Sequence, residues 1–240
     1  MKTRVALIVA ALLVAGSTLR AEEKPRGDLF ELHSCQLYIG GCIASSESTL
    51  DGKYLLRVWS FTGGAHGGVP FNGLQVALLE ASDENLAFKN TIPSESVIYL
   101  PSTASPAQAV ALADWIKASD PELSRAHVRT RAVPMTLAHS RSGVSFSAGD
   151  VLQFKTTSFE PCGLTSCGES LWYTPRFAVS RYTVGVSERL MVREPMLALT
   201  WIDHGKNNVF EGSFGGSQTA QATFEPITHV CAAPERAHYE

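Results

Sequence analysis

His33-Ser34-Cys35 and His229-Val230-Cys231 each set an imidazole and a thiol two residues apart. On an extended strand, residues i and i+2 project from the same face. An imidazole beside a thiolate suits soft or borderline ions such as Cu(I) or Zn(II). If the two ends of the chain meet, His33, Cys35, Cys42, His229 and Cys231 form a ligand set for copper or zinc. The cysteine spacing argues in another direction. Six residues separate Cys35 from Cys42 and four separate Cys162 from Cys167, which is looser than the doubled C-x-x-C of structural zinc sites.

That looser spacing suits disulfides. Gly40 and Gly41 precede Cys42, and Gly163 and Gly168 follow Cys162 and Cys167, so both short loops can turn sharply enough to bring sulfurs together. The expected pairs are Cys35 with Cys42 and Cys162 with Cys167, each loop closure contributing about 2 kcal/mol on the chain-entropy account. The chain has five cysteines, so one sulfur is left over. Cys231 has no partner close in sequence and is the expected odd thiol. In the alternative pairing, Cys231 ties the last strand to the first and leaves Cys35 or Cys42 over.

Other chemistries find less support. The sequence has no G-x-S-x-G elbow, no H-E-x-x-H helix and no phosphate-binding G-x-x-x-x-G-K-[ST]. A thiol oxidoreductase would carry C-x-x-C at a helix start, and the chain does not. His66 in GGAHGG reads as a solvated loop histidine, and Asp203-His204 as part of a turn, DHGKNN, between strands. Arg125, His127, Arg129 and Arg131 alternate along a predicted strand, forming either an anion-binding stripe or a sheet edge guarded by charge. No nucleophile, base and orienter can be named as a set, so an enzyme ranks below a binding protein. Net charge is −3, without the basic field that draws a protein to nucleic acid, which is not an expected partner.

The elements that must position these residues begin after a leader. Lys2 and Arg4 precede an apolar run from Val5 to Ala15, followed by small and polar residues to Ala21. That layout predicts a signal peptide over residues 1–21, a periplasmic or secreted location, and no membrane span after cleavage. Residues 22–240 are expected to form a single β-rich domain with a sizeable core.

GDLFELHSCQLYI alternates as a strand with Leu29, Glu31, His33, Cys35 and Leu37 on one side. KYLLRVWSF, GLQVALLEA and SVIYLP read as further strands, with TGGAHGGVPFN as a hairpin or wide loop. SPAQAVALADWIKAS changes period. Ser105 can cap, Pro106 suits the first helical position, and Val110, Ala113, Trp115 and Ile116 make an apolar stripe, predicting one main helix near residues 105–118. Strand patterns then resume: AHVRTRAVPMTLAH, GVSFSAGDVLQFKTTSF with a turn at SAGD, LWYTPRFAVSRYTVGVSERLMV, MLALTWIDHG, NNVFEGSFGG and EPITHVC. The expected class is α+β, mostly antiparallel β-sheet, as a sandwich or partly open barrel.

ELHSCQLYIGGC, FNGLQVALLE and VIYLPSTASPAQAVALADWI, in that order, resemble the bacterial family called "domain of unknown function 1326". That family carries a cysteine-rich N-terminal motif, a strand with a G-L-x-V-A pattern, and a strand leading into a helix. The resemblance covers Gly27 to Phe154. The family's closely spaced cysteines would imply a metal or redox cluster. Here only Cys35 and Cys42 stand in that motif, with Gln36, Leu37 and Gly41 at positions where further cysteines would be expected. The departure shifts weight from metal towards disulfide, and the resemblance bears on fold more than on function. The functional expectation is an exported non-catalytic binding protein for a small ligand or protein, with copper or zinc as candidate ligands. The alternative is a disulfide-stapled structural or interaction domain.

Overall fold

The computed structural model describes residues 23–37, 52–88, 90–158, 173–215 and 223–224. The first strand, β1 (Arg26–His33), is followed by β2 (Tyr54–Gly63), a small ribbon of β3 (Ala65–His66) and β4 (Val69–Pro70), then β5 (Gln75–Ala81) and β6 (Glu95–Pro101). Helix α1 (Pro106–Ser119) and a 3-10 turn (Pro121–Arg125) lead into β7 (His127–Val133). The second half adds β8 (Met135–Ser140), β9 (Gly143–Ala148), β10 (Leu152–Ser158), β11 (Arg181–Glu194), β12 (Leu199–Asp203), β13 (Lys206–Phe214) and the short β14 (Thr223–Phe224).

The main sheet runs β7-β6-β5-β2-β1-β13-β11-β10-β9-β8, with β12 and β14 also on β11. Neighbours are antiparallel except β6–β7 and β11–β14. The parallel pair needs a crossover, and α1 supplies it. β7 and β8 end the sheet on opposite edges yet are joined through Pro134 alone. A sheet whose two edges are joined by one residue must curl round, giving a nearly closed barrel. Proline suits that corner because it has no N–H to offer a ladder.

Two cores follow. The barrel interior holds Phe30, Leu32, Val58, Leu79, Leu190 and Val209 among others. On the outer face of β1, β2, β5 and β6, Leu29, Trp59, Phe61 and Leu78 pack under Leu112 and Trp115 of α1. Strands covered on both faces lose the polar half of their alternation, which is why KYLLRVWSF and GLQVALLEA read as near-continuous apolar runs.

The helix forms where the caps require it. Ser105 Oγ accepts from Gln108 N at 3.2 Å, and Gln108 Oε1 accepts from Ser105 N at 3.0 Å, with Pro106 opening the first turn. This is a capping box. The buried stripe is Ala111, Leu112, Trp115 and Ile116, together with Ala113. Val110, expected in the stripe, is 62% exposed, because at 100° per residue it points about 200° away from Leu112.

Two strand boundaries also differ from the sequence reading. Residues 173–180 carry no ladder and β11 begins at Arg181, while Pro195–Leu197 forms a 3-10 turn so that β12 begins only at Leu199. Pro195 withholds a backbone donor, and after Pro175 the amides of Arg176 and Phe177 go to the Glu31 carboxylate instead of a neighbouring strand. The turn expected at SAGD is present, with Gly149 at φ 56°.

Gly143 opens β9 at φ 143°, and a Cβ there would lie 1.8 Å from Thr156 O on β10. Gly143→Ala should therefore cost backbone strain of about 1–3 kcal/mol plus that collision. Gly67, at φ 57° with open space around it, should cost only about 1–2 kcal/mol as alanine. Urea denaturation of the two variants should show the larger loss at Gly143.

Candidate functional site

β1 carries His33 at its end, and Cys35 follows two residues later; both are buried on the outer side of the barrel. His33 is wholly inaccessible, lies edge-on to Phe210 with centroids 5.8 Å apart, and shares a 2.8 Å hydrogen bond between Nε2 and Glu31 Oε1. Its Nδ1 has no partner among the described residues. Cys35 packs in the same core as Leu29 and Leu37, with Sγ 3.9 Å from Asn85 Oδ1. The shared face expected for Leu29, Glu31, His33, Cys35 and Leu37 is present. Cys42, Cys162, Cys167, His229, Cys231 and the leader lie outside the described residues. Among the described residues, no three His, Cys, Asp or Glu side chains are grouped to hold a metal.

Beside His33 the same face holds a set of buried charges. Arg57 on β2 donates from Nε and Nη2 to Glu80 Oε2 on β5, at 3.1 and 2.5 Å, and from Nη2 also to Asp120 Oδ2 just beyond α1. Its guanidinium carbon stands 5.5 Å from the centre of the Trp59 ring. Glu31 accepts from Arg176 N at 2.9 and 3.2 Å and from Phe177 N at 3.3 Å. The Arg176 guanidinium donates to Leu86 O, Phe88 O and Thr91 O at 2.9, 2.7 and 2.9 Å, and pairs with Glu122. One face thus joins β1, β2 and β5 to the α1 corner and the segment leading into β11.

The charges set one another's protonation. Burial alone would raise Glu31, but the His33 hydrogen bond and charge, with Arg57 and the Arg176 amide, hold it below the ordinary carboxylate range. Asp120 is likewise pushed up by burial and brought below its ordinary value by Arg57. Glu80 goes the other way. Burial outweighs the pull of Arg57 and keeps its carboxyl above the ordinary range, in keeping with Oε1 having no partner among the described residues. Arg57 is desolvated yet held firmly protonated by Glu80, Asp120 and Glu31.

Sequence reasoning did not select Glu31, Arg57, Glu80, Asp120 or Arg176 as a group. A signal for three of them was present. Arg57 and Glu80 share strand parity with core-facing Trp59 and Leu78, and Glu31 with Leu29, so each is a charge at an apolar position. Asp120 and Arg176 sit in turns and carried no such mark.

The remaining candidates lie on other elements. β7 is a sheet edge, and its stripe is neutralised: Glu95 lies 3.0 Å from Arg129 and 3.2 Å from His127, Arg131 lies 3.6 Å from Glu194, and Arg129 donates to Met196 O at 2.7 Å. Arg125 falls in the preceding 3-10 turn and is exposed. Asp203 accepts from Trp201 Nε1 at 2.7 Å and Asn208 Nδ2 at 3.1 Å, while His204 is exposed in the turn. His66, at the tip of β3, is half-buried with its ring 6.4 Å from that of Phe71. No helix among the described residues is long and apolar enough to cross a membrane.

No protein-family model matches the chain, and neither does any curated protein or solved structure.

Arg57→Met should destabilise the fold by about 3–5 kcal/mol, because it strands buried carboxylates. Combining it with Glu80→Met and Asp120→Asn should recover much of that loss, measured by urea denaturation at neutral pH. The pH profile carries two signs. Asp120 and Glu31, held low, contribute stability that is present above their unfolded values of about 4 and lost as pH falls through their folded values. Glu80, held high, contributes stability that is full below about pH 4.3 and lost as pH rises through its folded value. Glu80→Gln should therefore flatten the decline on the rising-pH side and leave the acid-side loss in place, read from urea midpoints across the pH range.

Proposed function

We propose that the protein is a non-catalytic binding protein working in the periplasm or outside the cell, and that it takes a copper or zinc ion at the end of β1. The observation that carries this reading is the setting of the His33 ring. Glu31 is held below the ordinary carboxylate range and accepts, so an N–H at Nε2 is assigned to their bond, while Nδ1 is buried with no partner among the described residues. An imidazole oriented by a carboxylate on one nitrogen and open on the other is the arrangement that prepares histidine as a metal ligand. Arg176 N and Phe177 N fix Glu31 in turn. The Cys35 sulfur, two residues on, adds the soft donor that copper and zinc prefer over magnesium or calcium. Cys42, His229 and Cys231 complete the donor set in this reading. The leader-like N-terminus supports export.

A second reading is a disulfide-stapled interaction domain. The 1% exposure of Cys35 within the apolar core suits the part of this reading in which the cysteines do no chemistry, since a buried sulfur packs as a small apolar group.

Protein prepared without chelator should carry copper or zinc in proportion to chain. His33→Ala should lose it, and Glu31→Gln should lower affinity by about 10–100-fold. Circular dichroism of both variants verifies that they fold. Metal-free protein whose peptide map shows Cys35–Cys42 and Cys162–Cys167 bonded would replace the metal reading with the second. Separately, a thiol reagent on the folded metal-free protein should tag Cys231; a tag on Cys35 or Cys42, with Cys231 protected, would place the odd sulfur at the N-terminal end.

A further inference from the structure

We infer that the tip of the β11–β12 hairpin, residues 195–198, is a strap that fastens one side of the barrel and can release it while the ladders elsewhere stay paired. The inference does not depend on a metal at His33. Glu194 pairs with Leu199, so these residues form the whole tip. β5, β2, β1 and β13 separate β11 from β6 and β7 along the sheet. The tip nevertheless meets β6 and β7. Among the described residues no ladder joins them, so side chains make the connection.

Glu194, the last residue of β11, is wholly buried. Its Oε2 accepts from the Tyr99 hydroxyl of β6 at 2.6 Å and stands 3.6 Å from Nη1 of Arg131 on β7. Its Oε1 accepts from Met196 N at 2.9 Å, which ties the carboxylate to the tip itself. Arg129 of β7 donates to Met196 O at 2.7 Å, and Leu197 adds a partly buried contact with the barrel interior. One carboxylate thus holds the tip, β6 and β7 together. Removing one partner from a buried hydrogen bond to a charged group leaves the other unsatisfied and is costly, so the fastening is concentrated in few atoms.

The backbone of the tip is held away from its preferred conformation. Ala198 lies at φ 48° and ψ 36°, and it is the one non-glycine residue with positive φ among the described residues. A Cβ disfavours that left-handed conformation, and such strain persists only where the surroundings enforce it. Here the enforcing contacts are the bond from Ala198 N to Pro195 O at 3.1 Å and the attachments of Glu194 and Met196. Met196 and Ala198 are exposed, so the tip faces solvent on its outer side. A segment with few attachments, an exposed side and a strained closed form opens locally before the fold does. Its release uncovers Tyr99 and Leu199, which belong to the apolar interior.

Amide hydrogen exchange of the full chain, followed residue by residue by NMR, tests the strap. Amides from Met196 to Trp201 should exchange through an opening of their own, at least about tenfold faster than those of Leu32, Val58 and Leu79 in the inner strands. Glu194→Gln and Tyr99→Phe each remove one side of the fastening. Either should speed exchange from Met196 to Trp201 about tenfold or more and leave the three inner amides within about twofold. Ala198→Asn places at an exposed position a residue that tolerates the left-handed region better, so it should slow exchange in the same stretch severalfold. Absent acceleration in Glu194→Gln and Tyr99→Phe, or an equal acceleration of every amide, would overturn the strap, since the contacts would then serve either nothing or the whole fold. Exchange from Met196 to Trp201 no faster than in the inner strands of the unaltered protein would overturn it too, as would unchanged or faster exchange in Ala198→Asn.

Discussion

A guanidinium with almost no access to water sits between the sheet and its helix. Arg57 reaches Glu80 on the neighbouring strand and Asp120 at the end of α1, so it holds together three elements that apolar packing alone would leave free to slide. Apolar contacts are non-directional, whereas a planar fork of N–H donors accepts few orientations. The corner where α1 turns into β7 is therefore set in angle as well as distance. Arg176 repeats the device one layer out, binding three carbonyls of the loop after β5 together with Glu122. Buried ion pairs are poor sources of net stability. Here they define a single arrangement of helix, loop and sheet.

The two cores divide the work. The barrel interior is almost wholly apolar and makes the sheet cohesive, with Tyr99 and Glu194 joined by a 2.6 Å hydrogen bond as a polar cross-tie. The outer face carries the chemistry: His33, Cys35, the charge network and the aromatic cluster around Trp115 all lie there. Burial pushes Tyr99 well above its ordinary value, and the bond to Glu194 adds to that, so its hydroxyl remains a donor at any physiological pH.

Sequence periodicity served well where one physical rule dominated. Ser105, Pro106 and Gln108 announce the start of α1 through capping alone, and the alternation in β1 puts Glu31, His33 and Cys35 on the correct face. It misled at Val110, because an apolar residue on a helix need not face the core. It misled again at 173–180 and 195–197, where prolines interrupt apolar patterns. The charge network escaped because its members come from β1, β2, β5, the α1 corner and a coil before β11. Parity showed that Glu31, Arg57 and Glu80 faced the core, but only the three-dimensional fold shows that they face one another. Register between distant strands is a tertiary property, and no local pattern encodes the partnership of residue 31 with residue 176.

The place of β1 in the sheet sets the order in which the molecule can be made. β1 lies between β2, the next strand in the sequence, and β13, close to the far end, with Leu32 opposite Val209. During synthesis from the N-terminus, one edge of β1 has no native partner until β13 has emerged. The hydrogen-bonding groups along that edge stay open to mispairing meanwhile. The first strand is consequently the segment that a holding chaperone would have most reason to cover.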